Sequence, residues 1–185
     1  METMIRLRPP SRDDVRTAVT DAVVLGIACL ATYLLVTEVL SRIYFVSTAD
    51  DLLGGMWAVI ATVFVMRDSY DQSLSAAVSR MAATAVSFVY CLLYLSFLPF
   101  HTWALPTVIA LSALTARLIG GPGDSLTAAI TSTVVLVVAA VSPHDAWLQP
   151  ILRFADTAIG VLVGVGAAWV DLRVIRPARP PAVRR

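Results

Sequence analysis

Lysine is missing from this chain of 185 residues, and all 14 of its basic residues are arginine. That bias fits a GC-rich genome as well as any need for guanidinium chemistry, and carries no functional weight. Charge itself is scarce: 15% of residues are charged, against about a quarter in an ordinary globular domain. With 58% hydrophobic residues and a mean hydropathy of +0.78, the chain is not an ordinary soluble enzyme. Fourteen basic against 13 acidic residues leave a formal net charge of +1, so the basic excess of a nucleic-acid binder is absent, as is the polarity of a disordered chain. Cysteine is limited to Cys29 and Cys91, in separate apolar blocks without metal-ligand spacing, which removes the basis for a disulfide framework or zinc site. Both read as buried, reduced thiols. His101 and His144 fall in expected loops, and neither has a spacing that suggests metal. No Gly-rich phosphate loop, nucleophile elbow or paired catalytic carboxylates stands in a plausible context, so the chain is expected to be neither an enzyme nor the holder of a cofactor.

What is present is a series of long apolar blocks. Transmembrane strands would alternate in polarity over about 10 residues, whereas a spanning helix needs about 20 apolar residues. Breaks at charged, Pro and Gly clusters give six helices, over roughly residues 20–40, 52–66, 76–98, 103–119, 125–142 and 151–173. The second is short and has room to extend toward Ser69. The fourth carries Pro106 near its start, where a first helical turn tolerates it. Gly120, Gly121, Pro122 and Gly123 form the clearest turn. The apolar run Ala22 to Leu40 is longer than a signal-peptide core, and no small-residue cleavage site follows it.

The expected organisation is a basic cytoplasmic arm over 1–19, with room for a short interfacial helix from Ser11, a six-helix membrane domain over 20–175, and a basic Pro/Arg-rich cytoplasmic tail over 176–185. No soluble domain is expected after that tail, which reads as a disordered anchor near lipid headgroups. With the N-terminus inside, twelve arginines fall on the cytoplasmic side and only Arg42 and Arg153 on the other. This asymmetry suits an even number of spans with both termini inside.

The segments Arg80-Met81-Ala82-Ala83-Thr84-Ala85 and Arg153-Phe154-Ala155-Asp156-Thr157-Ala158 match in Arg, Ala, Thr and Ala at a constant offset of 73 residues. They open the third and sixth helices, which start on opposite sides. The fold expected is therefore all-α and polytopic, with six transmembrane helices as two inverted three-helix repeats, the plan on which many transporters build a central site. Each arginine is read as lying one turn into its helix. An ionised arginine in hydrocarbon costs from about 2.5 to more than 10 kcal/mol, so both must either snorkel to the interface or line something wet.

Arg80, Thr84, Ser87, Cys91 and Tyr94 fall on one helical face, a polar stripe that needs a pore or a partner helix. Arg153 and Asp156, three apart, can pair and mute each other's effect on a permeant ion. Gly160, Gly164 and Ala168 form a small-residue ridge, read first as packing inside one protomer and alternatively as a dimer seam. Trp57, after Gly54 and Gly55, is either an interfacial anchor or a stacking contact for an aromatic solute. Asp21 and Glu38, near the ends of the first helix, are candidates for proton coupling, because an ionised carboxyl is costly in low dielectric, although hydrated helix ends explain most such acids.

Three stretches then carry a resemblance. The run Met56-Trp57-Ala58-Val59-Ile60-Ala61-Thr62-Val63-Phe64-Val65-Met66, the arginine-led third helix with Ala83-Thr84, and Arg153-Phe154-Ala155-Asp156-Thr157-Ala158-Ile159-Gly160 stand in the order in which they resemble the membrane domain of the fusaric acid resistance and aromatic acid exporter family. The similarity covers about residues 17–175; plant anion channels of the malate type are distantly similar. The resemblance implies a six-helix inner-membrane module and an organic-anion pathway, with Trp57, Arg80, Thr84, Arg153, Asp156, Thr157 and Gly160 as the positions that carry over. The chain departs from the family at Ser87, where glycine is frequent, and in lacking a soluble domain.

The expected function is export of organic anions such as aromatic carboxylic acids, with a bacterial inner-membrane location. The expected partners are the small anion, membrane lipid and a second copy in a homodimer; no nucleic acid is expected. The rival readings are a passive anion channel, a non-transporting subunit that binds a protein through its Arg-rich termini, and a membrane enzyme.

Overall fold

The computed structural model describes residues 11–40, 48–67, 69–141 and 146–175. The basic residues 1–10, the tail 176–185, Arg42 and His144 lie outside the described residues. Six α-helices follow one another: α1 Arg12–Leu34, α2 Thr48–Val65, α3 Tyr70–Phe97, α4 Ala104–Ile119, α5 Pro122–Val141 and α6 Leu148–Val170. π-helical turns at Leu35–Leu40 and Asp171–Ile175 continue α1 and α6. The described residues contain no strand.

Four helical stretches are long and apolar enough to cross a membrane: Arg12–Val39, Tyr70–Phe97, Gly123–Val141 and Leu148–Arg173. Ala104–Ile119 is a shorter apolar helix. Large apolar side chains such as Ile27, Val78, Phe97, Leu118 and Leu162 are exposed on the outside of the bundle, which suits hydrocarbon as the surrounding solvent.

Local sequence sets the boundaries, and two differ from expectation. α1 begins at Arg12 rather than near residue 20, because Ser11 and Asp14 form a reciprocal capping box: the Asp14 amide donates to Ser11 Oγ and the Ser11 amide to Asp14 Oδ2. Residues 12–19 are therefore helical from the cap at Ser11, where a short helix was expected to start, and run without a break into the rest of α1. Similarly, Ser69 does not extend α2; it caps α3, accepting from the Gln72 amide. At the Gly-rich turn, the Gly120 amide closes α4 on the Ala116 carbonyl. Pro122 is the first residue of α5, and Asp124 reaches back to accept from the Gly121 amide at 2.9 Å. A Cβ on Gly120 would collide with the Asp124 carboxylate, so the turn needs glycine there.

α3 and α6 form the centre of the bundle and pack on each other, with Phe88 and Phe154 5.3 Å apart between ring centroids. α6 also packs on α2 and α1, and α3 on α5 and α4; α1 packs on α2 and α4 on α5. Weaker contacts join α2 to α3 and α5 to α6. Exchanging α1, α2 and α3 for α4, α5 and α6 maps this set of contacts onto itself.

Burial follows the same exchange. Ala28, Thr32 and Val36 are buried along the first helix; Val108, Ser112 and Ala116 are buried on α4. On α2 the buried set includes Ala58, Ala61, Thr62 and Val65, and on α5 it includes Ala128, Thr131, Ser132 and Val135. Arg80, Ala83, Thr84, Ser87, Cys91 and Leu95 of α3 are matched at the 73-residue offset by Arg153, Asp156, Thr157, Gly160, Gly164 and Ala168 of α6, all buried. Polar contacts repeat too. Thr32 and Thr62 join α1 to α2 through hydroxyls 2.9 Å apart, and Ser112 and Ser132 join α4 to α5 at 2.8 Å. Thr62 Oγ1 donates to the Gly160 carbonyl across α2–α6, and Ser87 Oγ to the Ala128 carbonyl across α3–α5, both at 2.9 Å.

The ridge on α6 is covered from within the chain. A Cβ on Gly160 would fall on the Ala58 carbonyl oxygen, and one on Gly164 would lie 3.1 Å from that of Thr62. Close approach of two backbones therefore requires these small residues. Because α2 already occupies Gly160 and Gly164, that part of the ridge is intrachain packing and not a dimer seam.

Candidate functional site

α2 packs parallel to α6: Gly54 lies against Asp156, Trp57 against Thr157, Thr62 against Gly160 and Val65 against Gly164. Between Asp50 and Phe64 this helix rises about 20 Å, and an arginine is buried near each end of it. Arg153 is 2% exposed and Arg80 4% exposed. Neither snorkels. Arg80 is also deeper than expected, because the Ser69 cap starts α3 at Tyr70 and places Arg80 nearly three turns inside the helix.

At the Asp50 end the charge is answered. Arg153 Nη1 lies 3.1 Å from Asp156 Oδ2, the expected pair, and Nη2 donates to the Asp50 carbonyl at 3.4 Å. Gln149 Nε2 donates to Asp50 Oδ1 at 3.0 Å, tying α6 to α2. Glycine at 54 makes room for the acid, since a Cβ there would lie 3.0 Å from both Asp156 carboxylate oxygens. One turn on, Thr157 accepts from Trp57 Nε1 at 3.1 Å and donates to the Arg153 carbonyl at 2.8 Å. That corrects the reading of Trp57 as an interfacial anchor: it is 3% exposed and joins α2 to α6.

At the Phe64 end the corresponding atoms are left over. Arg80 Nε and Nη2 and Thr84 Oγ1 are buried without a hydrogen-bond partner among the described residues. The Arg80 guanidinium is instead flanked by aromatic faces, its Cζ 4.8 Å from the Phe64 centroid and 5.6 Å from that of Trp57. Cation–π contact of this kind offsets only part of the cost of burial. Asp124, the nearby acid of α5, is engaged by the Ser79 hydroxyl and the Gly121 amide.

Arg80 borders a cavity of about 460 Å³, whose other walls include Phe64, Arg67, Gln72, Ser75, Ser79 and Thr127. Its polar walls offer two guanidinium groups, an amide and hydroxyls, and Phe64 adds an aromatic face. Such a lining suits an anion with a flat apolar body. Of the residues singled out in the sequence, the structure brings Arg153 and Asp156 together near the Asp50 end of α2 and sets Arg80 against Phe64 and Trp57, with Thr157 bonded to Trp57 in the middle of that helix; Thr84 lies one turn along α3 from Arg80 and does not line the cavity. Tyr94 is half-buried and donates to the Pro99 carbonyl at 2.9 Å, so the polar stripe ends at Cys91. Glu38 is exposed and Asp21 half-buried, at the margin of the bundle and not among the cavity's lining residues. Among the described residues no His, Cys, Asp and Glu cluster suits a metal ion.

Sequence reading did not find Phe64, Gln72, Ser79 and Thr127 as cavity walls. The available signal was the spacing of Gln72, Ser75, Ser79 and Arg80 on the first turns of α3, legible only once the Ser69 cap is placed. Asp50 and Gln149 were missed because their helix starts were set a few residues too late.

The architecture is that of an all-helical, multi-pass membrane protein in which Arg80, without an ion-pair partner among the described residues, lines a cavity. A family model described as fusaric acid resistance protein-like matches residues 39–167. The chain belongs to this family, a membrane transporter family. Comparison with curated proteins and with solved structures gives no match.

Proposed function

We propose that this protein exports organic anions, aromatic carboxylates among them, across a bacterial inner membrane, with Arg80 as the residue that binds the carboxylate. The observation that carries the reading is the pair of unpartnered, buried Arg80 nitrogens beside the cavity. A buried cation without a counter-ion is costly unless a ligand completes it, and a carboxylate bonds two guanidinium N–H groups at once. Phe64 provides a face for an aromatic ring, and Thr84 has a hydroxyl to spare.

In this reading all six helices span, both termini are cytoplasmic, and α1–α3 and α4–α6 are inverted repeats. The support is the exchange symmetry of packing, burial and hydroxyl bridges, with the arginine asymmetry setting the orientation. The Arg80 cavity then opens toward the cytoplasm, the side from which an exported anion is loaded. The homodimer belongs to this reading through a face other than the Gly160 ridge, and lipid covers the remaining apolar surface.

The experiment is flux of labelled benzoate in proteoliposomes, with and without an imposed pH gradient, for the unaltered chain and Arg80→Gln. Gradient-dependent flux that is lost in the variant is the expected result. Gradient-independent flux would make the protein a passive channel. Absence of flux from folded protein, for any anion, would end the transport reading in favour of a subunit that binds another protein.

A further inference from the structure

Arg153 occupies the position of Arg80 in the other half of the fold, and it already holds a carboxylate. That carboxylate belongs to Asp156, lies 3.1 Å from Nη1 and is seated against Gly54. The pairing is incomplete: among the described residues Arg153 Nε and Gln149 Oε1 are buried without hydrogen-bond partners, and Asp156 Oδ2 has its ion pair with Arg153 but no hydrogen bond. At the matching position α3 has Ala83, whose methyl group cannot serve Arg80 in this way. One half thus carries its own anion; in the other, Ala83 packs with Ala116 and Ala128, and Arg80 has a cavity at its side in place of an acid on its own helix.

We propose that Arg153 is a second anion site, closed by the carboxylate of Asp156 acting as a tethered substitute for the transported carboxylate. This rests on the reading of Arg80 as an anion site. The two sites are one design seen in two conditions. In the conformation described Arg80 borders a cavity and Arg153 is paired with Asp156, and release of the anion on the far side requires Asp156 to leave Arg153 so that the ligand replaces it. Because attraction between Arg153 and Asp156 holds the site closed, neutralising or removing the acid opens it. Charged groups around the pair include Asp50 and Asp51 of α2, both acidic. They disfavour a second anion there and give the ligand a reason to leave.

The test is equilibrium binding of benzoate and of acetate to the purified full chain, read by calorimetry in detergent. Arg80→Gln removes the first site and sets the background. On that background Asp156→Ala leaves a carboxylate-sized gap beside Arg153, and Asp156→Asn neutralises the acid with little change in size. Monodispersity and helical circular dichroism establish folding, so the second variant stands if the first does not fold. The expected result is that either Asp156 change restores binding at one anion per chain, at least tenfold tighter than the Arg80→Gln background, and that adding Arg153→Gln removes it again. Folded variants that bind neither anion would overturn the proposal, as would restored binding that survives Arg153→Gln. Failure of the Arg80 reading is separate: it appears in the unaltered chain, as benzoate binding that is absent or indifferent to Arg80→Gln.

Discussion

Two buried arginines, one near each end of α2, have opposite surroundings. Arg153 is paired with Asp156, bonded to the Asp50 carbonyl and followed by a threonine whose hydroxyl is fully used. Arg80 has two nitrogens, and Thr84 beside it a hydroxyl, without a partner among the described residues, and it borders a cavity. Similar sequence at the two positions therefore does not mean similar state. Internal pairing answers the charge at one end, and at the other the charge is left for the anion that the proposed function assigns to it.

The sharpest way to break the comparison is to make the same substitution at both ends. Arg80→Gln removes charge-assisted hydrogen bonds to the ligand, about 1.5–3 kcal/mol each, so benzoate binding and flux fall on the order of 100-fold. Thermal unfolding in detergent should show that variant no less stable than the unaltered chain, since an unpaired buried charge has gone. Arg153→Gln does the reverse to stability: it strands Asp156 and lowers it by about 3–5 kcal/mol. Equal destabilisation by the two changes would contradict the difference drawn between the ends.

The helix contacts allow a finer test. Gly160→Ala drives a methyl group into the Ala58 backbone carbonyl and should cost about 1–3 kcal/mol. Gly164→Ala should cost less, because its nearest neighbour is 3.1 Å away, and Gly166→Ala, with nothing within 4 Å, should be neutral or slightly stabilising. Thermal unfolding of the three variants in parallel checks that order. The smallest effects expected are those of the interhelical hydroxyl bridges. Thr32→Val and Ser112→Ala each remove one bridge between helices, worth about 1 kcal/mol, and similar losses from the two variants would sharpen the case that the halves are equivalent.

Much of this arrangement was legible in the sequence. Apolar blocks separated by polar and Gly/Pro clusters gave six helices in the right order, because helix length and turn chemistry are local properties. The Arg153–Asp156 pair and the buried stripe from Arg80 to Cys91 followed from helical spacing alone. The depth of Arg80 did not, since the Ser69 cap lies among polar residues that read as a link. Trp57 was left open between an interfacial anchor and a stacking contact for an aromatic solute, because the Thr157 hydroxyl that holds its indole inside the bundle lies 100 residues away in the chain. The cavity depends on α2, α3 and α5 meeting at one end, which no local pattern records.

The most direct measurement is a benzoate titration of the purified chain beside Arg80→Gln and Arg117→Gln. Arg117 is an exposed arginine in the last turn of α4, so its loss removes the same charge without touching the cavity. Saturable binding that Arg80→Gln weakens by at least about tenfold, a change of about 1.4 kcal/mol, and Arg117→Gln leaves within about twofold is the result expected of an unpaired arginine that serves as the anion site. Equal binding by all three proteins, or equal loss in both variants, would contradict it.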